Sequence, residues 1–398
     1  MSLEIIESLD QNGYPLAFAT SRVPTGSPVP GEARVGLFRV EARQLAGHQK
    51  EAIVSGAGFR AWRLVSDEGS TLKGTDLAPF PLGFFNAGIQ ADLGGRLREL
   101  AVERGIALDS VDIQLVNGYG FTGSFMLGTG QGHAVAPALD ITLGSPTGAT
   151  QLRSLVDAAL QASPAIALLR TPLAKNPFAL YINGRRRHVA GVPECGGADA
   201  VDPYRVYRDM PRPLPGTVPD LIVKVDPAAR RPAPAASLQP KAEVSWNVFG
   251  VGTLAADGMY ETETWLGLPN SSHFRLRTDE ARADRAPCGL ALVSAAISFC
   301  YMTQLSRYIE GMKMKIGQVR LVQFNTYSAG EQATVGPIET HLYLNGEAAE
   351  ETHLHLLTIA AHTCYLHAAA RATLQPSVRL HHKADGSQTG SHQDRAGT

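Results

Sequence analysis

Net charge, cysteine and long apolar runs are all scarce in this sequence. Its 398 residues carry 36 Lys+Arg against 37 Asp+Glu, a formal net charge of -1, and only 18% are charged. A chain so nearly neutral has no general attraction for a phosphate backbone or an anionic lipid surface, so neither nucleic acid nor membrane is an expected partner. No apolar stretch approaches the roughly 20 residues that cross a bilayer. Met1 to Asp10 carries Glu4, Glu7 and Asp10 with no basic segment, unlike a secretory leader, and the expected location is the cytoplasm. The four cysteines, Cys195, Cys288, Cys300 and Cys364, lack CxxC spacing and are too few for a disulfide scaffold. Reduced or reactive thiols are expected instead.

What is present is 44% hydrophobic residues, 40 Gly and 25 Pro. The length provides for about two or three domains with cores of their own. Residues 186–240 are crowded with proline, from Pro193 through Pro211, Pro213 and Pro215 to Pro240, after the basic run Arg185–Arg187. Proline fixes φ and removes a backbone donor, so this stretch reads as a connector, with Asp220–Val225 as a short strand inside it. The tail 381–398 is polar and without period, and is expected to be disordered.

The flanking stretches, 1–185 and 241–380, resemble each other. WRLVSDE at Trp62–Glu68 matches FRLRTDE at Phe274–Glu280, and a helical segment follows each. Aligning those helices sets Asp92 opposite Cys300. Strand-like sequence comes next in both, Val111–Val116 and Gln318–Phe324, then a second pair, Asp140–Leu143 and Glu339–Leu344. Second helices align from Leu155 to Arg170 and from Leu356 to Arg371, setting Ser163 opposite Cys364. Strands, long helix, strands, helix, short strand cannot make a parallel βαβ sheet, so the expected class is α+β with antiparallel sheets.

Leu290, Val293, Ile297, Cys300, Gln304 and Tyr308 recur at spacings of three and four, which puts Cys300 on the inner stripe of its helix. Leu357, Ala360, Ala361, Cys364 and Ala368 do the same for Cys364. If the helices pack together the sulfurs meet; otherwise they are two small buried hydrophobes. The joint presence of both thiols in one half and their joint absence from the other favours one unit of function.

PCGLALVSAAISFCYMT at Pro287–Thr303, followed by strands and by IAAHTC at Ile359–Cys364, resembles the OsmC/Ohr family of hydroperoxide-reducing proteins. The resemblance covers Lys241 to about Leu380 and, less clearly, Ile53 to Gly184. It implies two OsmC-like halves fused as an intramolecular pseudo-dimer around long central helices, monomeric or homodimeric as a whole. It further implies a peroxidatic Cys300 and a resolving Cys364, regenerated by a dithiol reductant, with a small apolar hydroperoxide as substrate and no cofactor. Such a thiol attacks the O–O bond, becomes a sulfenic acid and condenses to a disulfide.

The family's activating arginine matches Arg275, or Arg63 if the other half supplies it. Its carboxylate has no counterpart at Gly289, Leu290 or Ala291, which leaves Asp279, Glu280 or Asp284 as substitutes. Phe299, Tyr301, Phe84 and Phe85 are candidates for an apolar substrate pocket, or for core packing. Two other functions fit the same thiols: covalent catalysis or sulfur transfer on a specialised metabolite, and non-catalytic binding of a small molecule.

Other patterns carry less. His355, His362, Cys364 and Cys300 are a conceivable metal set, but His362 and Cys364, two apart on a helix, point about 200° from each other. GYGFTG at Gly118–Gly123 spells GxGxxG without a following helix, and a glycine-rich hairpin is expected there. Cys288 is about 18 Å along the helix from Cys300 and cannot bridge to it. Cys195 is a bystander unless the connector folds back over the thiols.

Overall fold

The computed structural model describes residues 7–21, 36–56, 59–208, 211–216 and 218–383. Of the tail expected to be disordered, residues 384–398 lie outside the described residues, as do Met1–Ile6 at the other end.

The chain opens with α1 (Leu9–Asn12), β1 (Ala17–Thr20), β2 (Leu37–Gln44), β3 (Lys50–Gly56) and β4 (Phe59–Ser66), which lead to α2 (Pro81–Glu103). Next come β5 (Ser110–Thr122), β6 (Gln131–Gly144), α3 (Ala149–Ala162), α4 (Pro164–Arg170) and β7 (Phe178–Ile182). The proline-rich stretch holds β8 (Arg185–Arg187), α5 (Tyr204–Tyr207) and β9 (Ile222–Lys224). Then follow β10 (Val244–Leu254), β11 (Tyr260–Leu266), β12 (Phe274–Thr278), α6 (Gly289–Gly311), β13 (Ile316–Ser328), β14 (Thr334–Val335) and β15 (Glu339–Gly346). The chain closes with α7 (Glu350–Thr363), α8 (Tyr365–Arg371) and β16 (Ser377–Lys383). Repeated elements have equal lengths: α2 and α6 have 23 residues, β5 and β13 have 13, α3 and α7 have 14, and α4 and α8 have 7.

The class is α+β, with two sheets in which antiparallel pairs dominate. One sheet runs β1-β4-β3-β2-β13-β15-β7-β8, with β14 on β13, and the other runs β16-β6-β5-β10-β11-β12-β9. Neither sheet respects the linear division of the sequence. In the first, β13 pairs antiparallel with β2, and β15 pairs parallel with β7. In the second, β10 pairs antiparallel with β5, and β16 pairs parallel with β6. The exchange is reciprocal, so 1–185 and 241–380 are not two separate globules. GYGFTG lies within and just past β5, whose pairing with β6 makes it part of a hairpin.

Between the sheets α6 packs on β2, β3 and β13, α2 packs on β5, β10 and β11, and the two helices pack on each other. They touch at glycine: a Cβ on Gly88 would stand 2.6 Å from the carbonyl oxygen of Gly289, and one on Gly289 would stand 2.5 Å from that of Gly88. Burial on every side explains why α6 is apolar all round. It is long and apolar enough to cross a membrane, contrary to the reading of the sequence, yet 94% of that window is buried inside the protein.

Residues 186–240 are more than a link. Tyr207 of α5 is buried with Ile53 and Ala61 on the outer face of the first sheet and donates a hydrogen bond to the Glu41 carbonyl. Cys195 and Ala200 are buried on the same sheet with Val322, Phe324 and Tyr343. The stretch therefore covers a sheet face that would otherwise expose apolar side chains.

Candidate functional site

Cys300 lies on α6, buried at 2% exposure, and Cys364 is fully buried. Their Sγ atoms are 3.4 Å apart. Cys364 is not on a continuous helical stripe: it sits in extended conformation (φ -72°, ψ 119°) at the break between α7 and α8. Ser163 holds the same place between α3 and α4, where Pro164 starts the new helix and the Ser163 hydroxyl accepts the amide of Ile166.

The two thiols are electrostatically unlike. Burial pushes both up, since charge is costly away from water. For Cys364 that effect is outweighed by its pairing with Cys300 and by the neighbouring His367, which together hold it well below the usual thiol range. Cys300 is driven well above that range by burial and then by its charged partner. Of the two, Cys364 is the thiol that ionises more readily. His367 is itself buried, its ring packed against those of Phe178 and Tyr301.

One turn beyond Cys300, the Thr303 hydroxyl donates to Glu68 Oε1 at 2.5 Å and accepts from Lys50 Nζ at 2.8 Å. Lys50 is fully buried and lies 3.5 Å from Glu68. Glu68 ends the WRLVSDE segment, and Asp67 shapes the loop around it by accepting the amides of Glu68, Thr75 and Leu77. The carboxylate bordering the Cys300 side of the site thus comes from the first half, as does the buried Lys50 that holds it. Neither Asp279, Glu280 nor Asp284 fills that role: Asp279 pairs with Arg285, and Glu280 faces the opposite helix. The equivalence of WRLVSDE with FRLRTDE held the signal for Glu68; it was missed because the carboxylate was sought on the thiols' own half.

The structure places neither candidate arginine at the thiols. Arg275 is exposed on β12, 3.9 Å from Glu261. Arg63 is buried, but strand alternation turns it away from its core-facing neighbours Trp62 and Leu64, and its Nε is 2.7 Å from Glu51. Arg275→Ala is accordingly expected to leave the rate of thiol alkylation and any peroxide turnover within about twofold of wild type, as measured by iodoacetamide labelling and peroxide consumption.

Phe84, Phe85, Phe299 and Tyr301 are fully buried core residues. The Phe84 and Phe299 rings meet at 5.7 Å, and the Tyr301 hydroxyl donates to the Leu357 carbonyl. The cavity that reaches Cys300 has other walls: about 320 Å³, with Phe80 and Leu82 from the first half, Phe121 of β5, and Trp246, Leu266 and Tyr365 from the second. Arg307 and Gln304 of α6 also border it. Among the histidines, His355 and His362 are exposed, and the four-residue metal set does not assemble among the described residues; His367 is the one beside Cys364.

At the position equivalent to the thiol pair, the Ser163 hydroxyl donates to Asp92 Oδ2 at 2.5 Å, and the Ala165 amide donates to the same oxygen. Burial raises the Asp92 carboxyl, and burial together with Asp92 pushes Glu280 up to about 8. Carboxyls and a hydroxyl stand there in place of the thiols. A carboxyl raised from its ordinary value of 4.5 in the unfolded chain contributes stability that is complete below about pH 4.5 and lost as pH rises through about 8. Glu280→Gln is expected to flatten the decline between those limits, read as urea midpoints against pH.

The chain matches no protein-family model and no curated protein. Among solved structures it is similar, at 23% identity and a TM-score of 0.19, to an OsmC-like hydroperoxide resistance protein from Jannaschia sp. CCS1, over 30% of this chain and 83% of that one.

Proposed function

We propose that this polypeptide is a strand-exchanged pair of OsmC-like halves in which one thiol site survives, and that Cys300 and Cys364 reduce organic hydroperoxides by a disulfide cycle. The observation that carries the reading is the buried 3.4 Å approach of the two sulfurs beside an apolar cavity built from both halves.

The Cys300 proton passes to the Cys364 thiolate, and the Cys300 sulfur attacks the distal peroxide oxygen. The O–O bond breaks, the alkoxide takes the proton and leaves as an alcohol, and Cys300 becomes a sulfenic acid. Cys364, again a thiolate, then attacks that sulfur; the S–O bond breaks, the leaving hydroxide takes a proton from solvent to become water, and a disulfide forms. A dithiol reductant of the cytoplasm restores both thiols by exchange, itself becoming a disulfide. His367 holds Cys364 in the form that receives the first proton. Lys50 and Thr303 fix Glu68 under the site, and the cavity walls take the alkyl group.

The test is peroxide consumption by the reduced chain with dithiothreitol as electron donor. Each buried methylene is worth about 0.8 kcal/mol, so cumene hydroperoxide is expected to exceed hydrogen peroxide by at least about tenfold in kcat/KM. Consumption of both at the uncatalysed rate overturns the reading.

A further inference from the structure

Cys195 takes no part in the thiol site, being held on the opposite face of the first sheet. Its amide donates to the Phe178 carbonyl, and its sulfur faces β15. Glu339 and His341, two apart on β15, share a side of the sheet. Ligand atoms of Cys195, Glu339 and His341 all lie within 4.8 Å of one another.

The surroundings orient the imidazole. Tyr181 donates its hydroxyl to Asp199 Oδ1 at 2.7 Å, so a lone pair of that oxygen faces His341 Nδ1 at 3.2 Å. The Ala200 amide donates to the same nitrogen at a longer 3.4 Å. In that state Nε2 donates to Glu339 Oε1, 3.0 Å away; an ion between them would take the Nε2 lone pair and send the ring proton to Nδ1, toward the Tyr181 hydroxyl. Tetrahedral coordination at about 2.0–2.3 Å puts neighbouring ligand atoms about 3.2–3.8 Å apart, so this cluster closes on an ion with small side-chain shifts. In the metal-bound form the Tyr181–Asp199 relay would accept the Nδ1 proton and fix the ring, the part a carboxylate or carbonyl plays behind other ligating histidines.

We propose that Cys195, Glu339 and His341 bind one Zn²⁺. Thiolate, imidazole and carboxylate together suit zinc, whereas magnesium and calcium take oxygen alone. His341 is fully buried and Glu339 is 20% exposed, so water reaches the fourth position from the Glu339 side. Binding deprotonates the Cys195 thiol and releases one proton per ion. The ion ties the proline-rich stretch to β15, and this assignment does not depend on the chemistry of Cys300 and Cys364.

The full chain, stripped with chelator and reduced, is titrated with Zn²⁺ alone and with Co²⁺ as a spectroscopic probe. One equivalent of bound metal is expected, with a near-ultraviolet thiolate-to-cobalt band that persists in the Cys300→Ser/Cys364→Ser double variant and vanishes in Cys195→Ser. Tyr181→Phe, which keeps the ring and removes the relay, is expected to weaken zinc about 10- to 100-fold. Circular dichroism of each variant separates lost binding from lost folding, and Glu339→Gln provides a second ligand variant if Cys195→Ser unfolds. Absence of stoichiometric zinc in the folded wild type, or a cobalt band that follows Cys300 and Cys364, overturns the assignment.

Discussion

One equivalent of an alkyl hydroperoxide should convert the reduced chain to a form lighter by two hydrogens, with Cys300 and Cys364 in a single cross-linked peptide pair. The sulfurs start 3.4 Å apart, and a disulfide needs about 2.05 Å, so about 1.4 Å of travel must be found. Cys364 supplies it readily, because it stands at a helix break where a side-chain rotation does not have to carry a rigid turn. Cys364→Ser should stop at a Cys300 sulfenic acid that dimedone traps. Cys300→Ser should leave Cys364 unoxidised on the same timescale. Turnover should fall at least about 10³-fold in both, since the attacking sulfur and its resolving partner act as one unit. Trapping of Cys364 in Cys300→Ser, with none of Cys300 in the other variant, would exchange the two roles. Peptide mapping by mass spectrometry distinguishes these outcomes.

Gly88→Val should be among the most damaging single substitutions in this chain. The new side chain would meet the Gly289 carbonyl oxygen at 2.6 Å and the Val293 amide nitrogen at 2.9 Å, both backbone atoms of α6. Backbone cannot swing aside as a side chain does, so α2 and α6 must separate along a contact that both sheets lean on. The cost should reach the upper range for overpacking, about 3 kcal/mol or more, seen as a lower urea midpoint at unchanged slope. Gly88→Ala should show the same effect at smaller size, its single methyl still falling inside contact distance of the Gly289 oxygen. A midpoint within experimental scatter of wild type for the valine variant would mean that the helices do not cross there.

The α+β class could be read from the order of elements, and the meeting of Cys300 with Cys364 from helical phase together with the family resemblance. The break before α8 was hidden. In the first half Pro164 announces it, but its counterpart after Cys364 is Tyr365, which helices accept. The aromatic candidates failed for a different reason: α2 and α6 are enclosed on nearly all sides, so phase no longer separates a pocket wall from a core position. The arginines were legible by parity. Arg63 stands between Trp62 and Leu64, and Arg275 between Phe274 and Leu276, so each shares a strand with inward apolar neighbours and faces the other way. Lys50 left no such trace, because nothing local in its strand marks a cation destined to be buried under a helix some 250 residues later.

The reciprocal exchange of strands also sets how this chain is made. During synthesis β2 and β5 emerge long before β13 and β10, so each waits at the ribosome with a row of unpaired amides and carbonyls, the kind of edge that recruits stray strands. Two separate polypeptides would have to find each other by diffusion to cover those edges. Here the tether keeps the missing strands at a fixed effective concentration, so refolding should proceed at a rate indifferent to dilution. A single chain also frees its two ends to drift apart in sequence: a substitution at Asp92 or Ser163 is not copied into Cys300 or Cys364, as it would be in a symmetric pair of identical subunits.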